Sequence, residues 1–151
     1  MVRFFAIILV ISMPLSGCAK WEVTDQSEDK IRFVLSKKGS SPRMLYVCDE
    51  ARELYGVTFD GRADTDNSYR LEIDIDGVQD FYVVPPSNKD VVLDVSEKQG
   101  FFARMPNAKI VKSRFVSMEG KVLEDWREID LDGFAEAHNL LPLYCRLDAA
   151  K

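Results

Sequence analysis

The chain has 151 residues, with 20 basic against 25 acidic side chains, a single histidine and a formal net charge of −5. Its length suits one domain around one core. An acidic balance without a dense basic patch argues against nucleic acid as a partner and against capture of anionic lipid head groups by charge. The same modest acidity keeps ordinary domains soluble and would also suit a basic protein partner.

From the N-terminus, Arg3 supplies a basic start, Phe4 to Ile11 form an apolar run, and Leu15-Ser16-Gly17-Cys18 closes the segment. Continued to Leu15, the run is interrupted by Ser12 and Pro14 and is too short for the roughly 20 apolar residues that cross a bilayer core. It reads as the hydrophobic region of a secretory signal. The closing tetrapeptide resembles the bacterial lipobox, whose cysteine is acylated and becomes the first residue after cleavage. That resemblance implies loss of residues 1–17, lipid on Cys18, and a single β-rich envelope domain over 18–151 with a short N-terminal tether. Since Arg3 is the one charged residue removed, the remaining chain is more acidic by one charge. Gly17 and Ala19 would also suit ordinary cleavage after Ala19, which would give a soluble periplasmic or secreted product. Several acyl chains on one cysteine exceed the two-signal threshold for stable anchoring, at roughly 0.8 kcal/mol per buried methylene. In lipoproteins of two-membraned bacteria, an aspartate after the acylated cysteine retains the protein in the inner membrane. Ala19 stands there in this chain, which implies an outer-membrane, periplasm-facing domain held to the membrane through its N-terminal lipid.

Beyond the tether, candidate strands are Trp21 to Thr24, Ile31 to Ser36, Met44 to Cys48 and Leu54 to Phe59. The acidic stretch Asp60 to Ser68 invites a calcium reading, because alternate oxygen ligands are what that hard cation needs. Counted from Asp64, however, Tyr69 stands at the sixth position of an EF-hand loop and Ile75 at the twelfth, where glycine and glutamate belong. A solvated connection is the simpler reading. Tyr69, Leu71, Ile73 and Ile75 then alternate with Arg70, Glu72 and Asp74, the period-two pattern of a strand with one buried face. Asp76-Gly77 predicts a two-residue type I′ hairpin into Val78 to Val84, pairing Ile75 with Val78, Leu71 with Tyr82 and Tyr69 with Val84. That register leaves Asp80 on the apolar face, which requires either an edge strand or a different register. After the Pro85-Pro86-Ser87-Asn88 loop comes a strand over Val91 to Val95.

Residues Ser96 to Met105 fit a short amphipathic helix ended by Pro106, with Gly100 as the discordant residue. A second hairpin turning at Glu119-Gly120 joins Ile110–Met118 to Lys121–Ile129 and sets Arg114 opposite Asp125. Asp132 is placed to cap a final helix whose inner face is Phe134, Ala137, His138 and Leu141, and Pro142 stops it. Many short strands with few helices predict a mainly β fold: an antiparallel β-sandwich or small barrel with a short C-terminal helix and one other short helix.

With Cys18 assigned to lipid, Cys48 and Cys145 remain, and in an oxidising envelope an even pair most simply forms one disulfide. Two cysteines and His138 lack the spacing and ligand count of a zinc site. The segment Pro42-Arg43-Met44-Leu45-Tyr46-Val47-Cys48, the early Trp21, and the run Ile129 to Ala137 followed by Leu141 and Cys145 resemble a loose group of bacterial envelope proteins. The group includes invasion-associated locus B proteins and periplasmic accessory proteins encoded with type VI secretion systems. The resemblance implies a disulfide-tied β-sandwich without known enzymatic activity, and it carries no catalytic residue to any position here.

Motifs for chemistry are sparse. The chain has no Gly-x-Ser-x-Gly elbow, no His-Glu-x-x-His and no phosphate-cradling glycine loop. His138, the sole histidine, falls on the inner face of the last helix, where a structural role outweighs catalysis. Trp21 and Trp126 with Phe81, Tyr82, Phe101 and Phe102 could form a sugar-stacking platform, although such residues in a sandwich are more often core. No catalytic residue, metal or cofactor is expected. The expectation is a non-enzymatic, outer-membrane-anchored lipoprotein that binds an envelope protein in an accessory or secretion-related role. The alternative is an inhibitor or immunity protein against a cell-wall-lytic or toxic enzyme. An enzyme using paired carboxylates is a further rival and would need two of them converging in a concave pocket.

Overall fold

The computed structural model describes residues 20–25, 32–37, 44–49, 54–59, 66–86 and 91–147. Residues 1–19, with the expected leader and Cys18, and residues 60–65 of the acidic stretch lie outside the described residues. Among the described residues nine strands form two antiparallel sheets. The first sheet has the order β1 (Trp21–Asp25), β2 (Arg32–Lys37), β3 (Met44–Asp49), β4 (Leu54–Phe59) and β7 (Val91–Asp94). The second has the order β6 (Val78–Val84), β5 (Tyr69–Ile75), β8 (Ile110–Ser117) and β9 (Val122–Asp130). Residues of both sheets meet in one core, from Trp21, Met44, Tyr46 and Leu93 to Leu71, Ile73, Val111, Phe115 and Ile129. The architecture is therefore a two-sheet sandwich and not a closed small barrel.

The predicted β5–β6 register is the observed one: Ile75 pairs with Val78, Leu71 with Tyr82 and Tyr69 with Val84. Asp76 and Gly77 both have positive φ, 49° and 87°, as a type I′ turn requires. The Asp74 carboxylate braces the turn by accepting from Gly77 N at 2.7 Å and Gln79 Nε2 at 2.9 Å. Asp76 does more, because its carboxylate also accepts from Ile110 N at 3.1 Å and Lys109 N, stitching the hairpin tip to the start of β8. Asp80 is explained by position: β6 is an edge strand, and the carboxylate pairs there with Lys98 Nζ at 2.6 Å.

Three expectations are corrected in the connections. Pro106 does not end a helix over Ser96 to Met105. That stretch is a 3₁₀ turn at Ser96–Lys98, a single α-turn α1 (Gln99–Phe102), and a second 3₁₀ turn Met105–Asn107 with Pro106 in its opening positions. Proline fits there because the first N–H groups of a helical turn have no internal partner. Nor does Asp132 cap the last helix, α2 (Phe134–Asn139). The N-cap is Gly133, left-handed at φ 81°, and no side chain caps the turn. The Asp130 carboxylate takes the Asp132 N–H at 2.9 Å, and Leu131 O accepts Phe134 N at 2.8 Å, so the chain enters α2 through a tight glycine turn. The inner face of α2 carries Phe134, Ala137 and His138 as expected, all buried, but the helix ends at Asn139, so Leu141, buried as well, lies beyond it and Pro142 is not what stops it. Trp21 ties the two sheets together at this end, its Nε1 donating to Asp130 O at 3.2 Å and its ring meeting Phe134 edge-on at 5.1 Å. Among the described residues no helix is long and apolar enough to cross a membrane.

Candidate functional site

The residue types singled out for chemistry gather at the C-terminal end of the fold. Cys48, on β3, and Cys145, in the 3₁₀ turn Leu143–Cys145, form a disulfide with Cα atoms 5.6 Å apart, and both are buried. Tyr46, two residues earlier on the same face of β3, donates its hydroxyl to Cys145 O at 2.5 Å. His138 is 3% exposed, stacked on Phe134 at 5.8 Å with the Tyr46 ring tilted 6.2 Å away. Its Nε2 accepts the Leu147 N–H at 2.8 Å, and its Nδ1 is buried without a partner. Arg146 reaches back over the end of α2, donating to Leu141 O at 2.9 Å and Asn139 O at 2.6 Å, which serves carbonyls that the helix leaves unpaired. Burial, with the Arg146 charge adding to it, pushes His138 below the ordinary imidazole value of 6.5. The imidazole is thus spent on holding the chain's last described residues.

The second cluster lies on the outer face of the four-stranded sheet. Once Tyr69, Leu71, Ile73 and Ile75 turn inward, the pleat sends Arg70, Glu72 and Asp74 outward, and the register aligns them with Val83, Phe81 and Gln79 on β6 and with Val116, Arg114 and Lys112 on β8. Phe81 is 49% and Val83 56% exposed on this face. The Arg114 guanidinium lies 4.5 Å over the Trp126 ring and its Nε bonds Glu72 at 2.7 Å. Arg70 stands 5.9 Å over Phe81 and 3.6 Å from Glu72, and Lys112 pairs with Glu128 at 2.8 Å. The Arg114–Asp125 pair expected from the hairpin does not form. Irregular register between Ser113, Phe115 and Val116 removes a direct partner for Arg114, while Asp125 accepts its neighbour's Trp126 N–H at 2.7 Å.

The aromatic residues considered as a sugar platform are divided by this geometry. Trp21 and Phe102 are buried in the core, Tyr82 and Phe101 pack against it, and only Phe81 and Trp126 belong to the outer face. Asp66 and Asn67, at the end of the acidic stretch, are exposed, and among the described residues no three His, Cys, Asp or Glu side chains converge as a cation site. The outer face is the cluster that residue typing passed over. Its signal was present, since the β5–β6 register puts Phe81 and Val83 on the side of Arg70 and Glu72, where a solvated strand would carry polar groups. No family model, curated protein or solved structure matches the chain.

Proposed function

We propose that the chain is a non-enzymatic lipoprotein, anchored in the outer membrane through acylated Cys18, whose four-stranded sheet presents its outer face to a protein partner in an accessory role in the envelope or a secretion apparatus. The observation that carries the binding role is the Phe81–Val83–Arg70–Arg114–Trp126 surface. Arginine and large aromatic side chains are the residue types that dominate binding energy at protein interfaces. Here the arginines are already ordered by rings and by Glu72, so less side-chain freedom is left to lose on docking. The commitment of His138 to the Leu147 N–H favours binding over acid–base chemistry at that residue. The membrane assignment rests on Leu15-Ser16-Gly17-Cys18 with Ala19 following.

A crosslinked pull-down of the lipidated protein from its own envelope, read by mass spectrometry, tests the role. Recovery of envelope-assembly or secretion subunits supports the accessory reading, and stoichiometric recovery of a wall hydrolase or toxin replaces it with the inhibitor reading. Cys18→Ser should move the protein from the membrane to the soluble fraction. Retention of that variant on membranes would remove the anchor.

A further inference from the structure

The single histidine accepts a hydrogen bond from the backbone N–H of Leu147 at 2.8 Å. A neutral imidazole that accepts a hydrogen bond at Nε2 has its lone pair on that atom and its proton on Nδ1. An incoming proton can therefore add only at Nε2, the atom occupied by the Leu147 N–H. Charge on His138 and the His138–Leu147 hydrogen bond exclude one another.

We infer that the His138–Leu147 hydrogen bond is an acid-sensitive latch, broken when His138 takes up a proton, which frees Leu147 from the body of the domain while the disulfide keeps Cys145 in place and Arg146 keeps its bonds to Leu141 O and Asn139 O. The surroundings make the charged form costly. Phe134 and Tyr46 face the imidazole with rings, and Nδ1–H has no acceptor. The 3₁₀ turn Met105–Asn107, packed on α2, carries no ionisable side chain. Glu136 on α2 and Glu22 on β1 are exposed to solvent, Ser36 on β2 is uncharged, and Arg146 is the charged group that bears on the ring, with the same sign as an imidazolium.

Arg146 and Leu147, with Tyr144, form the wall between two depressions. One is bounded by Tyr46, Val95, Ser96 and Gln99, and the other by Ala103, Pro106, Ala135 and His138. Release of the latch opens this wall at Leu147 and uncovers the apolar surface that its side chain covers beside the disulfide. The device is thus a switch for exposing a second surface, remote in the fold from the outer face of the four-stranded sheet.

Because His138 is the only histidine, NMR of the full-length protein reads its titration without assignment ambiguity. The expected midpoint lies below the ordinary 6.5. Between that ordinary value and the midpoint, Leu147 amide exchange, corrected for its intrinsic pH dependence, should accelerate about tenfold per pH unit, as one linked proton requires. The Phe115 amide in β8 should hold its protection over the same range. In His138→Gln, which keeps a neutral acceptor, Leu147 exchange should be flat. A midpoint at or above the ordinary value, Leu147 protection indifferent to imidazole charge, or equal loss at Phe115 would each overturn the latch, and all three are read on the unmutated protein should the variant not fold.

Discussion

Glu72 and Arg114 face each other across β5 and β8, joined at 2.7 Å, and the guanidinium that makes this bond also covers the Trp126 ring at 4.5 Å. A single arginine so links the carboxylate of a central strand to the aromatic of an edge strand. Planarity is what permits both contacts at once, and lysine has no equivalent. Arg114→Lys should therefore weaken partner capture nearly as much as Arg114→Ala, by about 2 kcal/mol or roughly thirty-fold if the face behaves as an interface centre. The domain's own stability should fall by only about 1 kcal/mol in either case, since the ion pair is partly solvated. Titration calorimetry against the recovered partner beside urea unfolding separates the two effects. Unchanged affinity would remove this face from the interface.

The turn residue Asp76 combines a left-handed backbone with a carboxylate that serves two backbone donors at the start of β8. Asp76→Ala should lose both contributions, about 1–2 kcal/mol for the positive φ and about 1 kcal/mol for each orphaned hydrogen bond. Asp76→Asn tolerates the same backbone and keeps one acceptor oxygen, so urea midpoints should rank wild type, then asparagine, then alanine. Asp76→Gly, which relieves only the backbone, should fall between asparagine and alanine.

At the β6 edge, burial works against a charged Asp80, but the Lys98 ammonium and the Phe81 N–H outweigh it and hold the carboxyl below its usual 3.8. The unfolded chain therefore binds a proton there before the folded one does. The stabilisation is complete above the unfolded value and is lost as pH falls through the depressed folded value. Asp80→Asn should remove this part of the acid sensitivity, seen as a shallower fall in urea midpoint below pH 4. Lys98 also donates to Phe81 O, and Asp80 accepts Phe81 N, so the pair blunts the hydrogen-bonding groups of an exposed edge. Lys98→Ala should raise the tendency to self-associate, measurable by sedimentation.

The disulfide joins residues 97 apart and ties β3 to the end of the chain. In the chain-entropy picture such a loop stabilises by about 4–5 kcal/mol at most. Cys145→Ser should lower the unfolding free energy by an amount approaching that figure and leave Cys48 as an alkylatable thiol in denaturant. A wild-type protein that already shows both Cys48 and Cys145 as alkylatable thiols in denaturant, the variant losing one of them, would mean that the bond does not form in the protein as isolated.

The hairpin β5–β6 was legible to the residue because its information is local: a period-two pattern on both sides of Asp76-Gly77 admits one register that keeps Leu71 and Tyr82 together. The strand limits Leu54–Phe59, Tyr69–Ile75 and Val78–Val84 were legible for the same reason. Reading failed at Asp132, where a capping residue type was nearby but the backbone turned at Gly133 one position later. It failed again at Arg114, where register irregularities moved the partner from Asp125 to Glu72 and Trp126. Both failures concern geometry that depends on a single φ angle or one extra residue, which composition and periodicity do not encode.

The candidate outer face was half legible: Phe81 beside Glu72 follows from the hairpin register, but the closure of Trp126 over Arg114 depends on strand order across three strands. For this protein, periodicity and turn chemistry alone determined a mainly β chain, its principal hairpin, the inward face of its last helix, and a cysteine pair suited to bonding, because each is set by neighbours along the chain. Tertiary structure decided that the strands divide into two sheets, that Tyr46, His138, Arg146 and Leu147 gather around the disulfide, and that the lone imidazole spends its lone pair on a backbone amide nine residues away. Those outcomes rest on contacts between segments far apart in sequence, whose energies exist only once the core has brought them together.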